Sequence, residues 1–384
     1  MTRPRIAYVI NSVEGGGAAL PVPAVTQVLR SAGADVRVFA LTRRDGRALP
    51  PIVAAGLEPA VRDGGETDHF AAARWLMKEV RSWGATHLWT SLSRATILGL
   101  IVGPMLGLPV VSWQHAAFLK PWNRRLMRQL QGRAQLWVAD SQSVAELTER
   151  RLKVPAGRLE TWPIYFADPA MPEAKAWTPG EPLRLGSLGR LHPVKGYDVL
   201  VDALARLRTQ GFEPPVPVEI VIAGDGDQAS ALMAQASQAG VTNLRLAGYT
   251  SDPRGFLSGQ HLYLQPSRSE GFCIAAHEAL TAALPTIASS VGELPFSIAP
   301  TRNGWLAPPG DVDALAKALR QALSDPSALA AMGKAARADM FDRFSKQRFE
   351  AKGRAIWQRI HPASGEDRAP TRQASDRPSS RQTG

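Results

Sequence analysis

Two glutamates eight residues apart, Glu270 and Glu278, frame a turn suited to holding an anion. They lie in Leu264-Gln-Pro-Ser-Arg-Ser-Glu-Gly-Phe-Cys-Ile-Ala-Ala-His-Glu-Ala-Leu280. The apolar residues 261–264 predict a short strand, which Pro266 stops. Gly271 permits a tight turn, and the spacing predicts a helix over 273–283. The first amides of a helix have no internal partner, so a helix that starts after a strand offers a seat for an anion. With two carboxylates beside that seat, the chemistry suits a ligand with a negative end and hydroxyl groups to be gripped. A sugar nucleotide is such a ligand.

A second turn carries the opposite charge. Arg190 and Lys195 occur in Gly189-Arg-Leu-His-Pro-Val-Lys-Gly196, between a predicted strand over 183–187 and a helix over 197–207. Two cations beside free helix amides are what a diphosphate requires. Asp225 and Asp227 follow another predicted strand, 218–223. An Asp-x-Asp pair can hold a divalent metal, but here a glycine turn with Asp227 capping the next helix accounts for it, and no metal is predicted. His115 sits just past the predicted strand 109–113, where an open parallel sheet binds its ligands.

These turns need strands and helices to position them. In the first half, strands are predicted over 5–10, 35–41, 86–90, 109–113 and 136–140. The intervening helices begin near Ala18, at 68–82, at 95–106 and at 142–152, the last capped by Ser141. The loop Glu14-Gly-Gly-Gly17 follows the first strand, but it lacks the spaced glycines of a dinucleotide fingerprint. Alternation of this kind predicts an α/β fold with helices on both faces of a parallel sheet. Periodicity fails over 163–182, where Pro163, Pro169, Pro172, Pro179, Gly180 and Pro182 cluster. A second alternating series then begins. The expected organisation is an N-terminal domain over 1–165, a linker over 166–182, a C-terminal domain over 183–344, a helix over 345–361 and a disordered tail over 362–384.

Composition narrows the classes. The 384 residues are 45% hydrophobic, ordinary for a globular chain, and the formal charge is +11. The first 170 residues carry 21 Lys/Arg against 13 Asp/Glu, a surplus of 21 − 13 = 8. A single cysteine, Cys273, excludes an intramolecular disulfide framework and fits a reducing compartment. The uncharged stretch between Arg94 and Lys120 holds three glycines and two prolines, so a buried helix and strand fit it better than a membrane span. Residues 120–133 hold five cations and no acid, with Trp122, Leu126, Met127 and Leu130 at helical spacing. Such a helix either packs its stripe on the sheet or lies on an anionic membrane.

The second half resembles the retaining glycosyltransferases of family 4, the glycosyl transferases group 1. The resemblance rests on Gly189-Arg-Leu191 with Lys195-Gly196, Ala223-Gly-Asp-Gly226, Pro266-Ser-Arg-Ser-Glu-Gly-Phe272 with Glu278-Ala-Leu280, and Asn303-Gly304 with Pro309-Gly-Asp311. The first half is similar more loosely, through its glycine loop, His115 and Asp140-Ser141. The resemblance implies the GT-B architecture, two Rossmann-like parallel-sheet domains facing across a cleft. It implies donor contacts from Gly16, Gly17, Arg190, Lys195, Glu270, Gly271, Phe272, Cys273, Ile274 and Glu278. Within that set Arg190 and Lys195 meet the diphosphate, Glu278 the ribose and Glu270 the transferred sugar, while His115 reaches across from the acceptor domain. The chain departs from the pattern at Cys273, where glycine is common, at Trp162-Pro163-Ile164, at Phe296 in place of a glutamate, and at Ala18-Ala19-Leu20.

The expectation is therefore a hexosyltransferase-type enzyme. It would move a sugar from a nucleotide-diphosphate sugar such as UDP-sugar to a hydroxyl, in cell-surface polysaccharide or lipopolysaccharide synthesis. Glu270, His115, Arg190 and Lys195 would carry the chemistry, with no cofactor and no metal. The expected partners are the donor, a glycan or lipid-linked acceptor and an anionic membrane surface met by 120–133, with no nucleic acid. The expected place is the cytoplasm, at or near the inner face of the membrane. A nucleotide-sugar epimerase of the same architecture and a non-catalytic nucleotide-sugar-binding protein are the rival readings.

Overall fold

A computed structural model describes residues 3–115 and 119–362. Apart from Pro362, the expected tail lies outside the described residues. Apolar, β-branched runs form strands buried on both faces, as a parallel sheet requires. The first half runs β1 (Arg5–Ser12), α1 (Val22–Ser31), β2 (Asp35–Thr42), α2 (Leu49–Ala54), β3 (Ala60–Val61), α3 (His69–Trp83) and β4 (His87–Ser91). It continues through α4 (Ser93–Met105), β5 (Val110–Gln114), α5 (Pro121–Leu130), β6 (Leu136–Ala139), α6 (Gln142–Leu152) and β7 (Leu159–Thr161). Its seven strands are all parallel in the order β3-β2-β1-β4-β5-β6-β7.

The second half runs β8 (Leu183–Leu188), α7 (Tyr197–Thr209), β9 (Val218–Ala223), α8 (Ala229–Gln238), β10 (Leu244–Gly248), α9 (Pro253–Ser258), β11 (Leu262–Gln265) and α10 (Ile274–Thr281). Then come β12 (Thr286–Ser289), α11 (Leu294–Ser297), β13 (Gly304–Ala307), α12 (Val312–Ser324), α13 (Leu329–Arg343) and α14 (Lys346–Ile360). Six parallel strands follow the order β10-β9-β8-β11-β12-β13. In both sheets the chain reverses its direction of winding once, beside β1 and β4 and beside β8 and β11. The crevice at that reversal is where such sheets take ligands.

Two expectations need correction. The first helix starts at Val22, four residues later than expected. Ala19 and Leu20 instead donate to the Gly16 carbonyl in a turn, and Pro21 occupies the helix cap. Asp227 does not cap α8, whose cap residue is Gln228 with no side-chain bond. The other Asp of the pair, Asp225, bonds to Arg47 of the first half. Ser141 does cap α6, accepting from the Val144 amide at 3.2 Å. Short elements with little pattern of their own, such as α2, β3 and β7, were not foreseen.

The irregular residues after β7 are fastened to the second half. The amides of Ala167 and Ala174 donate to the carbonyls of Phe344 and Ala282 at 2.7 Å each. Helix α14 returns to the first sheet, where Lys352 and Arg359 both pair with Glu160 of β7. One apolar cluster consequently joins Trp89, Trp113 and Trp162 to Phe272, Ala276 and Phe349 across both halves.

The two sheets meet at Gly271. A Cβ on this residue would lie 1.9 Å from the His115 carbonyl oxygen, closer than any real contact. Gly271→Ala is therefore expected to push the halves apart, seen as a larger radius of gyration in small-angle scattering. An unchanged radius would show that the contact yields locally instead.

Candidate active site

The two charged turns lie on either side of the reversal point in the second sheet, after β8 and after β11. Gly196 brings them together. It has φ +66°, and a Cβ there would lie 2.0 Å from the Pro266 carbonyl oxygen, so only glycine allows this approach. As a result Lys195 Nζ donates to Glu270 Oε1 at 2.7 Å, with side chains 18% and 11% exposed. Ser267 Oγ and Gln265 Nε2 also donate to that oxygen, at 2.7 and 3.2 Å. Burial works against the Lys195 charge, but the Glu270 carboxylate more than offsets it, and the lysine pKa ends above its usual value.

Cys273 precedes α10 with φ +69°, a backbone conformation that glycine takes freely and that strains a side-chain-bearing residue. It is buried, and burial raises its thiol pKa, so the sulfur is not a nucleophile at neutral pH. Phe272 is buried below the turn, stacked on His277 at 4.0 Å. Glu278 lies one turn into α10 and is only partly exposed. Its carboxylate makes no hydrogen bond or ion pair among the described residues. Burial raises its pKa to about 7, with Arg254 pulling weakly the other way.

Arg190 is 65% exposed at the cleft rim, its guanidinium 3.8 Å from Glu14. From the first sheet, a Cβ on Gly17 would meet Ile274 Cδ1 of α10 at 3.7 Å, while Gly16 has open space around it. The glycine loop and His115 therefore do converge on the α10 turn.

His115 arrives differently from expectation. Its carbonyl, not its ring, meets Gly271. Its Nε2 lies 2.7 Å from Ser91 Oγ and its Nδ1 3.4 Å from Asp140 Oδ2, and the ring stacks on Trp113. The side chain is 6% exposed, held back in its own domain. Sequence reasoning gave Asp140 no role and did not single out Glu293. Yet both are buried beside Gly271, and the Glu293 amide donates to the Gly271 carbonyl at 3.0 Å. Burial raises both carboxyl pKa values, with His115 pulling Asp140 down and Arg343 pulling Glu293 down. No local pattern marks such residues; only the meeting of the two halves does.

The geometry is thus a cleft with a cationic rim, two carboxylates and free amides at α10. Residues 15–164 match the pattern of "Glycosyltransferase Family 4", and residues 173–339 match that of "Glycosyl transferases group 1". The chain belongs to this family of glycosyltransferases, and its two parallel-sheet domains have the GT-B architecture. It is 36% identical over 143 residues to a D-inositol 3-phosphate glycosyltransferase of Jonesia denitrificans, covering 36% of this chain and 34% of that one. A protein of the same name from Gordonia bronchialis is 28% identical over 282 residues, 66% of this chain and 60% of that one. The matches thus span about a third to three fifths of these relatives' lengths. Among solved structures, Anabaena HepE in complex with UDP and glucose superimposes with a TM-score of 0.78 at 19% identity. That match covers 93% of this chain and 99% of that one, a likeness of fold.

The raised Glu278 pKa sets a pH dependence. The unfolded chain releases this proton near 4.5 and the folded protein near 7, so the folded state binds more protons between these values. The stability from the protonated carboxyl is complete below about pH 4.5 and lost as pH rises to about 7. Glu278→Gln should therefore melt close to the parent at about pH 5 and a few degrees above it at about pH 8. Calorimetry at both values checks this, and an equal difference at both would refute it.

Proposed function

We propose that the protein transfers a sugar from a nucleotide-diphosphate sugar to a hydroxyl of a glycan or lipid-linked acceptor, with retention at the anomeric carbon. The observation that carries this is the convergence of Arg190, Lys195, Glu270, Glu278 and the α10 amides on one side of a cleft that the glycine loop closes from the other. The leaving diphosphate develops negative charge as the glycosidic bond breaks. Preorganised cations and amides stabilise that charge at little reorganisation cost, and here they do so without a metal. The ribose hydroxyls lie against Glu278 and the sugar against Glu270.

Retention runs either through a covalent glycosyl-enzyme or by attack on the same face as departure. A covalent route needs a free carboxylate under the anomeric carbon. Glu270 Oε1 already accepts from Lys195, Ser267 and Gln265. That crowding supports same-face attack, with the departing phosphate oxygen taking the acceptor proton. UDP is the first nucleotide to try, since the HepE crystal holds it.

Thermal shift tests the donor site, because a ligand that binds only the folded state stabilises it. Among UDP-, GDP- and ADP-sugars, at least one should raise the melting temperature by a few degrees. Arg190→Ala and Lys195→Ala, each read against its own baseline, should lose most of that rise and cut transfer by orders of magnitude. Full shifts and turnover in both variants would refute the assignment.

The acceptor side supports a second element, residence at the inner face of an anionic membrane. No helix among the described residues is long and apolar enough to cross a membrane. On α5, Met127 is buried while Trp122 is 71% exposed. Lys120, Arg124, Arg125 and Arg128 of the same segment are exposed too. An exposed indole among cations suits the headgroup layer. Vesicles containing phosphatidylglycerol should sediment the protein where phosphatidylcholine vesicles do not, and Trp122→Ala should weaken this several-fold. Equal recovery with both lipids would argue against it.

A further inference from the structure

The cation at the cleft rim already has an anionic neighbour supplied by the other domain. Arg190 Nη1 lies 3.8 Å from Glu14 Oε1, and Glu14 immediately precedes the three glycines of the first loop. The other Glu14 oxygen is held by Arg44, which also grips Glu66. Two carboxylates thus share one guanidinium, and Glu14 Oε1 is the oxygen left facing Arg190.

Neighbouring contacts tie the same two loops together. Asp45 Oδ1 accepts from the Gly15 amide at 2.9 Å and from the Arg47 amide at 3.0 Å, which couples the glycine loop to residues 43–47. Arg47 in turn reaches over the cleft, 3.1 Å from Asp225 Oδ2 and 4.0 Å above the Tyr249 ring.

The two cations of the proposed diphosphate site differ in how readily they change partner. Lys195 and Glu270 are mostly buried and held by three donors to one oxygen, so breaking that pair leaves an uncompensated charge in low dielectric. Arg190 is largely in solvent and its pair with Glu14 is long, the kind of surface pair that contributes little. Arg190 is therefore the exchangeable cation.

We propose that Glu14 is a displaceable counter-ion that competes with the ligand's diphosphate for Arg190. A diphosphate drawn to Arg190 meets like charge at Glu14 and expels that side chain. Glu14 then sets a charge threshold on the site. A nucleoside diphosphate brings enough negative charge to Arg190 to overcome it, and a nucleoside monophosphate, short of the second phosphate, does not engage the contest. This inference rests on the reading of Arg190 as a diphosphate ligand.

Calorimetric titration of the full-length protein with UDP, GDP and ADP, and with the matching monophosphates, tests it. The binding nucleoside diphosphate should bind Glu14→Gln about three- to tenfold more tightly than the parent, while its monophosphate changes by less than about twofold. In an Arg190→Gln background the Glu14 substitution should give no gain. Equal or weaker diphosphate binding by Glu14→Gln overturns the proposal while leaving the donor site standing. An equal gain for the monophosphate overturns it too, because a general field effect would then suffice. Failure of every nucleoside diphosphate to bind the parent overturns the donor-site reading, and this proposal with it.

Discussion

Lys195 and Glu270 are charges that neither turn tolerates alone. At 2.7 Å and mostly out of water, each is the other's counter-ion, and removing one leaves the kind of unpaired buried charge that costs several kcal/mol. Their meeting requires β8 and β11 to be neighbours, which the strand order provides, and requires Gly196 to let its turn touch the Pro266 carbonyl. The second domain thus carries a fixed charged platform, and everything the first domain adds must come to it across the cleft.

The two glutamates that look alike in the sequence are made different by their surroundings. Glu270 sits against a lysine and two further donors. Glu278, eight residues on, has only burial around it and the distant Arg254, so its carboxyl keeps its proton to about pH 7. A protonated carboxyl both donates and accepts, whereas an ion-paired carboxylate only accepts. A pocket with one of each is suited to hydroxyl groups at one end and to a fixed field at the other. Spacing alone cannot distinguish the two, because the difference lies in what the rest of the fold packs over each side chain.

Much of the fold was legible because its signals are local. Buried parallel strands read as apolar runs, Ser141 reads as a cap, and the proline cluster after residue 163 reads as a break in periodicity. The turn at Cys273 was legible as well: a residue in a glycine's place, with a glycine's backbone. What escaped depends on chain segments far apart. Pro21 delays α1 against the apolar pattern that begins at Ala18, and α14 joins the first domain through Glu160, almost two hundred residues earlier. Asp225 finds Arg47 in the other domain, and Asp227 does not cap the helix that follows it. His115 was placed at the correct strand end, but its ring is claimed by Ser91 and Asp140, which only the packed sheet brings to it.

The contact between the domains combines a shared apolar cluster with close backbone approaches and buried polar groups. Gly271 touches the His115 carbonyl, and the Glu293 amide reaches the Gly271 carbonyl. Around this point His115 Nδ1 has only the Asp140 carboxylate at 3.4 Å, and Asp140 Oδ1 and Glu293 Oε2 are buried with no hydrogen-bond partner among the described residues. Each such atom costs about 1–3 kcal/mol relative to a satisfied one. Against that cost stand the shared apolar cluster and the rim pairs of Arg47 and Arg190, which are exposed and individually weak. The apolar cluster holds the joint, while the rim pairs are the part that a ligand contacting both sides can exchange at little cost.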